Sequence, residues 1–243
     1  MDYAGRVAKA DTFPKMLRLN AVEHGGEVAL REKDFGLWRE FTWNDYHART
    51  RDFALGMVAL GLGRGDVIGI IGDNRPDWVA AEIASHAIGA MSLGIYRDAL
   101  EEEVGYLLNY GEARLVFAED EEQVDKLLGL GAKAPHLKHI VYSDPRGMRK
   151  YDDPRLIAAD KLAELGRARA NADAALYDRL VDATDGDAVA ILCTTSGTTS
   201  NPKLAMLAAG RVLSHCATYL SFDPKGPDDE YVSVLPLPWI MEQ

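Results

Sequence analysis

Between Phe41 and Phe117 the apolar positions alternate between two patterns, a three-to-four-residue spacing and short unbroken runs. Thr42 is placed to cap a helix whose Tyr46, Phe53, Met57 and Leu60 share one side, and the glycines of GLGRGD stop it. Val67 to Gly72 (VIGIIG) reads as a buried strand. Pro76 then sits at the first position of a helix running to about Ala87, and a second apolar run spans Met91 to Ile95. The alternation continues with a helix over Glu101–Tyr110, a strand over Arg114–Ala118, a helix over Glu121–Leu130 and a strand at His139–Tyr142. Strands and helices alternating at these lengths predict an α/β fold with a mainly parallel β-sheet flanked by helices.

From Ser143 to Thr184 the pattern weakens. SDPRGMRKYDDPR is turn-rich and charged, and the alanine-rich stretch to Val181 reads as surface helices lacking a strong apolar stripe, a connecting layer before the strand Ala188–Leu192 (AVAIL). The tyrosines and tryptophans of the first third are read as packing groups. No solenoid-like repeat is visible.

Composition narrows the function. Forty-seven per cent apolar residues over 243 positions can build a sizeable core, and the formal charge of −11 argues against a general nucleic-acid binder, which needs clustered cations. It leaves room for a phosphorylated small molecule, because a few backbone N–H groups and one lysine hold a phosphate locally. Two cysteines make no disulfide framework and fit a reducing compartment. The opening residues lack the apolar stretch of a secretory signal, and the most apolar region, Trp78–Tyr96, is broken by Glu82, His86 and glycines. The expectation is a cytoplasmic protein without a transmembrane segment, peripheral contact with a membrane surface being left open.

The chemistry concentrates where AVAIL runs into CTTSGTTSNPK. From Thr194 to Ser200 six of seven residues carry hydroxyls and the seventh is Gly197. Small side chains let successive N–H groups turn inward as a concavity for anionic oxygens, and Lys203 adds an ammonium. Charge-assisted bonds contribute about 1.5–3 kcal/mol each, so four or five hold a polyphosphate. Ser, Thr, Asn and Gly are also ordinary loop residues. The loop is not the GxxxxGK[ST] motif, since Pro202 stands at the second glycine and Leu204 follows the lysine. GLGRGD is no dinucleotide fingerprint, because it follows a helix instead of a strand.

TTSGTTSNPK resembles the signature loop TSGTTGxPKG of the adenylate-forming (AMP-binding) synthetases, with Thr195, Ser196, Gly197, Thr198, Thr199, Pro202 and Lys203 matching. ALREKDFGLWREFTWNDY, RGDVIGIIGDNRPDWV and EARLVFAEDEEQVDKLL resemble the amino-terminal half of long-chain acyl-CoA synthetases, and the terminal LPLPWIMEQ resembles their LPLxHxxE motif. The resemblance runs from Thr12 onward. It implies residues 1–243 as an incomplete large adenylate-forming domain, with 1–185 a first βα subdomain plus connecting layer and 186–243 the start of the phosphate-loop subdomain. It implies ATP, Mg2+ and coenzyme A as cofactors and a fatty acid as substrate: the carboxylate attacks the α-phosphate, and the thiolate then displaces AMP. Carried over, Ser196, Thr198 and Thr199 donate to phosphate oxygens, Gly197 permits close approach and Lys203 neutralises charge.

Ser200 and Leu204 replace family glycines, Ala208–Ala209 replace a Thr-His pair and Trp239 replaces the motif histidine. A left-handed backbone at Ser200 would cost on the order of 1 kcal/mol. Trp239 could still wall the acyl site, and Glu242 matches the motif acid while reading equally as a solvent-facing helix-start acid. No catalytic residue and no metal ligand is assigned within the chain. The family's later motifs lie beyond Gln243, so the expectation is a truncated chain without synthetase turnover, dimerising through apolar faces near Trp239 and Ile240. Two other readings stand beside it: a non-catalytic nucleotide-binding or interaction module of the same lineage, and a generic phosphate-binding domain. His136 and His139 lack a third metal ligand, Cys193 and Cys216 read as buried apolar groups, and Glu101–Glu103 read as a solvated helix start.

Overall fold

An unbroken apolar run such as Val67–Ile71 satisfies its side chains only where both sheet faces are covered, and all five of its residues are buried. The computed structural model describes residues 2–195, 202–226, 229–240 and 242. Its elements run α1 (Tyr3–Lys9), α2 (Phe13–His24), β1 (Val28–Asp34), β2 (Leu37–Thr42), α3 (Trp43–Ala59), β3 (Val67–Ile71), α4 (Pro76–Ala87), β4 (Met91–Ile95), α5 (Glu101–Tyr110), β5 (Ala113–Ala118), α6 (Glu121–Gly129), β6 (His139–Tyr142), β7 (Leu156–Ala158), α7 (Ala159–Ala172), α8 (Leu176–Asp182), β8 (Val189–Thr194), β9 (Leu204–Ala208) and α9 (Ala209–Phe222). Seven strands form one sheet in the order β7-β6-β5-β3-β4-β8-β9, parallel throughout except for the terminal pair β8–β9.

Side chains alternate across each strand and divide the core in two. Ile68, Ile70, Leu115 and Phe117 face α3, α4, α7 and α8, where Phe53 meets Phe117 with ring centroids 5.1 Å apart. Val67, Ile71, Val116 and Ala118 face α5 and α6. Local signals agree with this arrangement. Thr42 and Asp45 close a reciprocal capping box on α3, Pro76 opens α4, and Asp120 caps α6 through the Gln123 N–H.

The connecting layer departs from expectation. Residues 156–158 add β7 to the sheet, and α7 is a core helix, not a surface one, with Ala159, Leu162, Ala163 and Gly166 buried against α3. Alanine and glycine carry little hydropathy, so the stripe is invisible as a pattern, yet their small size lets the two backbones approach. A Cβ at Gly166 would lie 1.8 Å from the Asp52 carbonyl oxygen, and one at Gly56 would lie 2.3 Å from that of Leu162. The chain up to Thr42 supplies α1, α2 and a separate antiparallel hairpin, β1–β2, turned by Phe35 (φ 48°) and Gly36 (φ 82°). At its tip Trp38 is exposed, not packed as expected, together with Phe35 and Leu37. No helix among the described residues is long and apolar enough to cross a membrane.

The α3–α7 contact generates a test. Gly166→Ala gains about 1 kcal/mol of helix propensity but drives its Cβ into the Asp52 backbone at a cost of about 3 kcal/mol, for a net loss of about 2 kcal/mol. Urea denaturation measures it, and an unchanged or raised midpoint would show that the helices separate without cost.

Candidate functional site

Ligand sites in parallel sheets lie beyond the carboxyl ends of the strands. Here those ends carry residues 72–75 after β3, 96–98 after β4 and 119–120 after β5, with the phosphate-loop sequence after β8. The crevice where the connections diverge, between β3 and β5, is filled. Glu119 accepts from the Asp73 N–H at 2.7 Å and from Arg75 Nε at 3.1 Å, and its side chain is only 13% exposed.

β8 and β9 pair antiparallel from Val189↔Ala208 to Thr194↔Leu204, so the intervening loop is the tip of a hairpin. Thr195 and Lys203, both exposed, meet at its stem. The Thr195 N–H donates to the Lys203 carbonyl at 2.9 Å and the Thr195 hydroxyl reaches the same oxygen at 3.3 Å. Ser196, Gly197, Thr198, Thr199 and Ser200 lie outside the described residues. Among the described residues no carboxylate lies within ion-pairing distance of Lys203.

The segment around the terminal motif is drawn across β4 and β8. Asn74, a turn residue with no spacing signature, clasps it: its amide donates to Ser233 Oγ at 2.6 Å and to the Leu235 carbonyl at 2.8 Å, while its oxygen accepts from the Leu237 N–H at 3.2 Å. Leu237 enters the core beside Trp78, Pro238 lies where a Cβ on Gly94 would reach (2.9 Å), and Ile240 packs against Ala190 and Ile191. Trp239 remains 45% exposed. Glu242 is not a solvent-facing helix-start acid: it accepts from the Tyr231 hydroxyl at 2.9 Å and from the Leu235 N–H at 3.3 Å. Cys193 and Cys216 are half-buried instead of buried, and burial pushes both thiols up.

Two cavities lie near the carboxyl ends of β3 and β5, and the arginines in both are paired with carboxylates. One of about 550 Å3 between residues 72–75, 96–98 and 233–236 sets Arg75 and Arg97 against Asp73, Asp98 and Glu122. Arg97 is already paired with Asp73. The larger cleft, about 950 Å3 between the β1–β2 hairpin and α3, is rich in arginine. Its cations are engaged too, Arg49 by Asp77 at 2.8 Å, Arg75 by Glu32 at 3.0 Å and Arg167 by Asp52 at 3.1 Å. No cluster of three or more His, Cys, Asp or Glu placed to hold a metal ion occurs among the described residues.

A buried polar network ties β8 to its neighbours. Ser92 of β4 donates to Glu82 at 2.8 Å, His86 Nε2 lies 3.0 Å from the Ser92 oxygen, and the Ala190 carbonyl of β8 is 3.4 Å from it. Burial lifts the Glu82 carboxyl to about 7, against the Ser92 hydrogen bond, and pulls the His86 imidazole down to about 3, against the Ala190 carbonyl. The Glu82–His86 spacing on α4 is visible in the sequence, but nothing there shows that both face Ser92.

Residues 17–243 match the family described as AMP-binding enzyme, and the chain belongs to that family. Among its curated relatives, long-chain-fatty-acid–CoA ligase ACSBG2 of Xenopus laevis is 28% identical over 198 residues, 81% of this chain and 26% of that protein. Among solved structures, acetoacetyl-CoA synthetase from Streptomyces lividans matches with a TM-score of 0.74 at 18% identity, over 100% of this chain and 36% of that one. The anthranilate CoA ligase AuaEII in complex with anthranoyl-AMP matches at 0.66 and 18% identity, over 87% of this chain and 37% of that one. The fold is thus that of the adenylate-forming enzymes, and the chain spans about a quarter of the length of the curated relative it matches.

Two outcomes are expected from this geometry. Asn74→Ala removes three hydrogen bonds from the crossing segment and should speed limited proteolysis between Asp229 and Leu237 about tenfold with little change in melting temperature; an unchanged cleavage rate would show the clasp is idle. The second concerns pH. Glu82 titrates near its ordinary 4.5 when unfolded and near 7 when folded, so the folded state binds more protons in that window and stability falls as pH rises through it. At about 1.4 kcal/mol per pH unit this amounts to about 3 kcal/mol. His86 acts oppositely, losing stability as pH falls from 6.5 toward 3. Glu82→Gln should therefore gain stability relative to the parent by about 3 kcal/mol between pH 4.5 and pH 7.5; parallel urea-denaturation profiles would show that Glu82 does not titrate in this range.

Proposed function

We propose that this chain supplies the ATP phosphate-binding loop of a ligase that activates a long-chain fatty acid to its acyl-adenylate and then to acyl-CoA. The observation that carries the reading is the β8–β9 hairpin at the carboxyl edge of the parallel sheet, whose TTSGTTSNPK sequence closes on a Thr195–Lys203 stem. Family membership supports the nucleotide, and the fatty acid follows the name of the ACSBG2 relative. In the reaction a carboxylate oxygen bonds to the α-phosphorus as pyrophosphate departs, and the coenzyme A thiolate then bonds to the acyl carbon as AMP departs.

The chain's own residues act on the departing group. The hydroxyls and N–H groups of Ser196, Thr198 and Thr199 donate to the β- and γ-phosphate oxygens, Thr195 closes the stem beneath them on the Lys203 carbonyl, Gly197 lets the backbone approach, and the Lys203 ammonium offsets the charge that grows as pyrophosphate leaves. Magnesium, when bound, would share that charge. Trp239, partly exposed on the segment drawn across β4 and β8, walls the acyl group in this reading, and Glu242 holds the segment that carries it.

Titration of the protein with Mg-ATP tests the reading. Lys203→Ala should weaken binding at least about tenfold, and Lys203→Arg should retain part of it. Equal affinity of the parent and Lys203→Ala would exclude this loop as the phosphate site.

A further inference from the structure

The strand that leaves the phosphate loop has a gap in its own hydrogen bonding. Pro202 has no N–H to offer, and the β9 ladder begins only at Leu204, opposite Thr194. Two successive carbonyls at this point are nevertheless held from outside the strand. The Lys203 carbonyl is taken by Thr195, the residue after β8, and the Pro202 carbonyl accepts from the Tyr106 hydroxyl, on α5, at 3.0 Å. The donor comes from a different element 96 positions away in sequence.

Tyr106 is well placed to hold a position. Its ring is half-buried against the α5–α6 face of the core and stacks on Tyr110 with centroids 5.6 Å apart and planes 19° from parallel. The end of α5 also supports the start of β9, for a Cβ on Gly111 would lie 3.1 Å from Leu93 and 3.5 Å from Leu204. All peptide bonds described are trans. In a planar trans peptide the C=O and the following N–H point oppositely, so capture of the Pro202 oxygen fixes the side toward which the Lys203 N–H is directed. It also fixes the Lys203 Cα, from which the ammonium starts.

We infer that Tyr106 is a positioning residue for the phosphate loop, its hydroxyl setting the 202–203 peptide plane from which Lys203 projects. The inference rests on the phosphate reading above. A tyrosine that merely packed would tolerate loss of its hydroxyl without consequence for a ligand; a positioning one would not.

Tyr106→Phe keeps the ring and removes the donor. Hydrogen exchange followed by mass spectrometry should show the amides of Lys203–Ala205 exchanging about three- to tenfold faster, with α3 and β3 unchanged. Affinity for Mg-ATP should fall by a similar factor while affinity for AMP, which lacks the β- and γ-phosphates, stays the same. 4-Aminophenylalanine in place of Tyr106 restores a donor on the same ring and should return both readouts toward the parent, separating the lost bond from any lost packing. Unchanged exchange in the phenylalanine variant, or faster exchange with unchanged Mg-ATP affinity, overturns the inference while leaving the phosphate reading intact, provided Lys203→Ala still weakens binding. Absence of Mg-ATP binding by the parent protein overturns both.

Discussion

The hairpin that bears the TTSGTTSNPK sequence joins the sheet at one narrow pairing. β4 and β8 share only the registered pairs Ser92↔Ile191 and Leu93↔Leu192, where β3 and β4 share five. A short parallel pairing of this kind is a weak connection on backbone bonds alone, so side chains must hold it. Ser92 does so from inside, linking Glu82 and His86 of α4 to the Ala190 carbonyl, while Leu237 and Ile240 cover the joint from the α4 face. The Thr195–Lys203 stem beyond the end of β8 takes its position from that joint on one side and from α5, through Tyr106, on the other. This explains why costly buried polar groups occur here: a hydroxyl shared between a carboxyl and an imidazole specifies one alignment, which apolar side chains of the same size would not.

Cations are distributed with similar economy. The arginine-rich cleft beside the hairpin looks anion-seeking by composition, yet its guanidinium groups are spent on Asp77, Glu32 and Asp52. A net charge of −11 leaves the surface unfavourable to polyanions in general. Under these conditions a phosphate is best held by backbone N–H groups and one nearby ammonium, whose fields act over a few ångströms and do not depend on the charge of the whole molecule.

Legibility in the sequence followed burial. VIGII, MSLGI, RLVFA and HIVY could be read because strands covered on both faces are short, largely apolar runs, and α3 and α4 because their caps are written in Thr42 and Pro76. β1 (VALREKD) was not, since a lone hairpin packed on one side needs no such run. β7 is three residues long, too short to show a period, and α7 hides its buried face in alanine and glycine. Around the hairpin, Thr195 and Lys203 were legible as candidates, from the local run of hydroxyls and its lysine. Asn74, Tyr106 and Ser92 were not, because each acts on a residue about a hundred or more positions away and only the folded topology brings the partners together.

Pro238 resting on Gly94 carries a consequence for how such a chain diverges over time. The missing side chain at one point in the middle of a strand sets the height at which a distant stretch of backbone passes overhead. Were a methyl group to appear there, the overpass would have to rise, Leu237 would be drawn out of its pocket and Trp239 would swing with it. Positions 94 and 238 are thus coupled, and volume at the first is the quantity through which a mutation deep in the sheet would shift the backbone that carries Trp239.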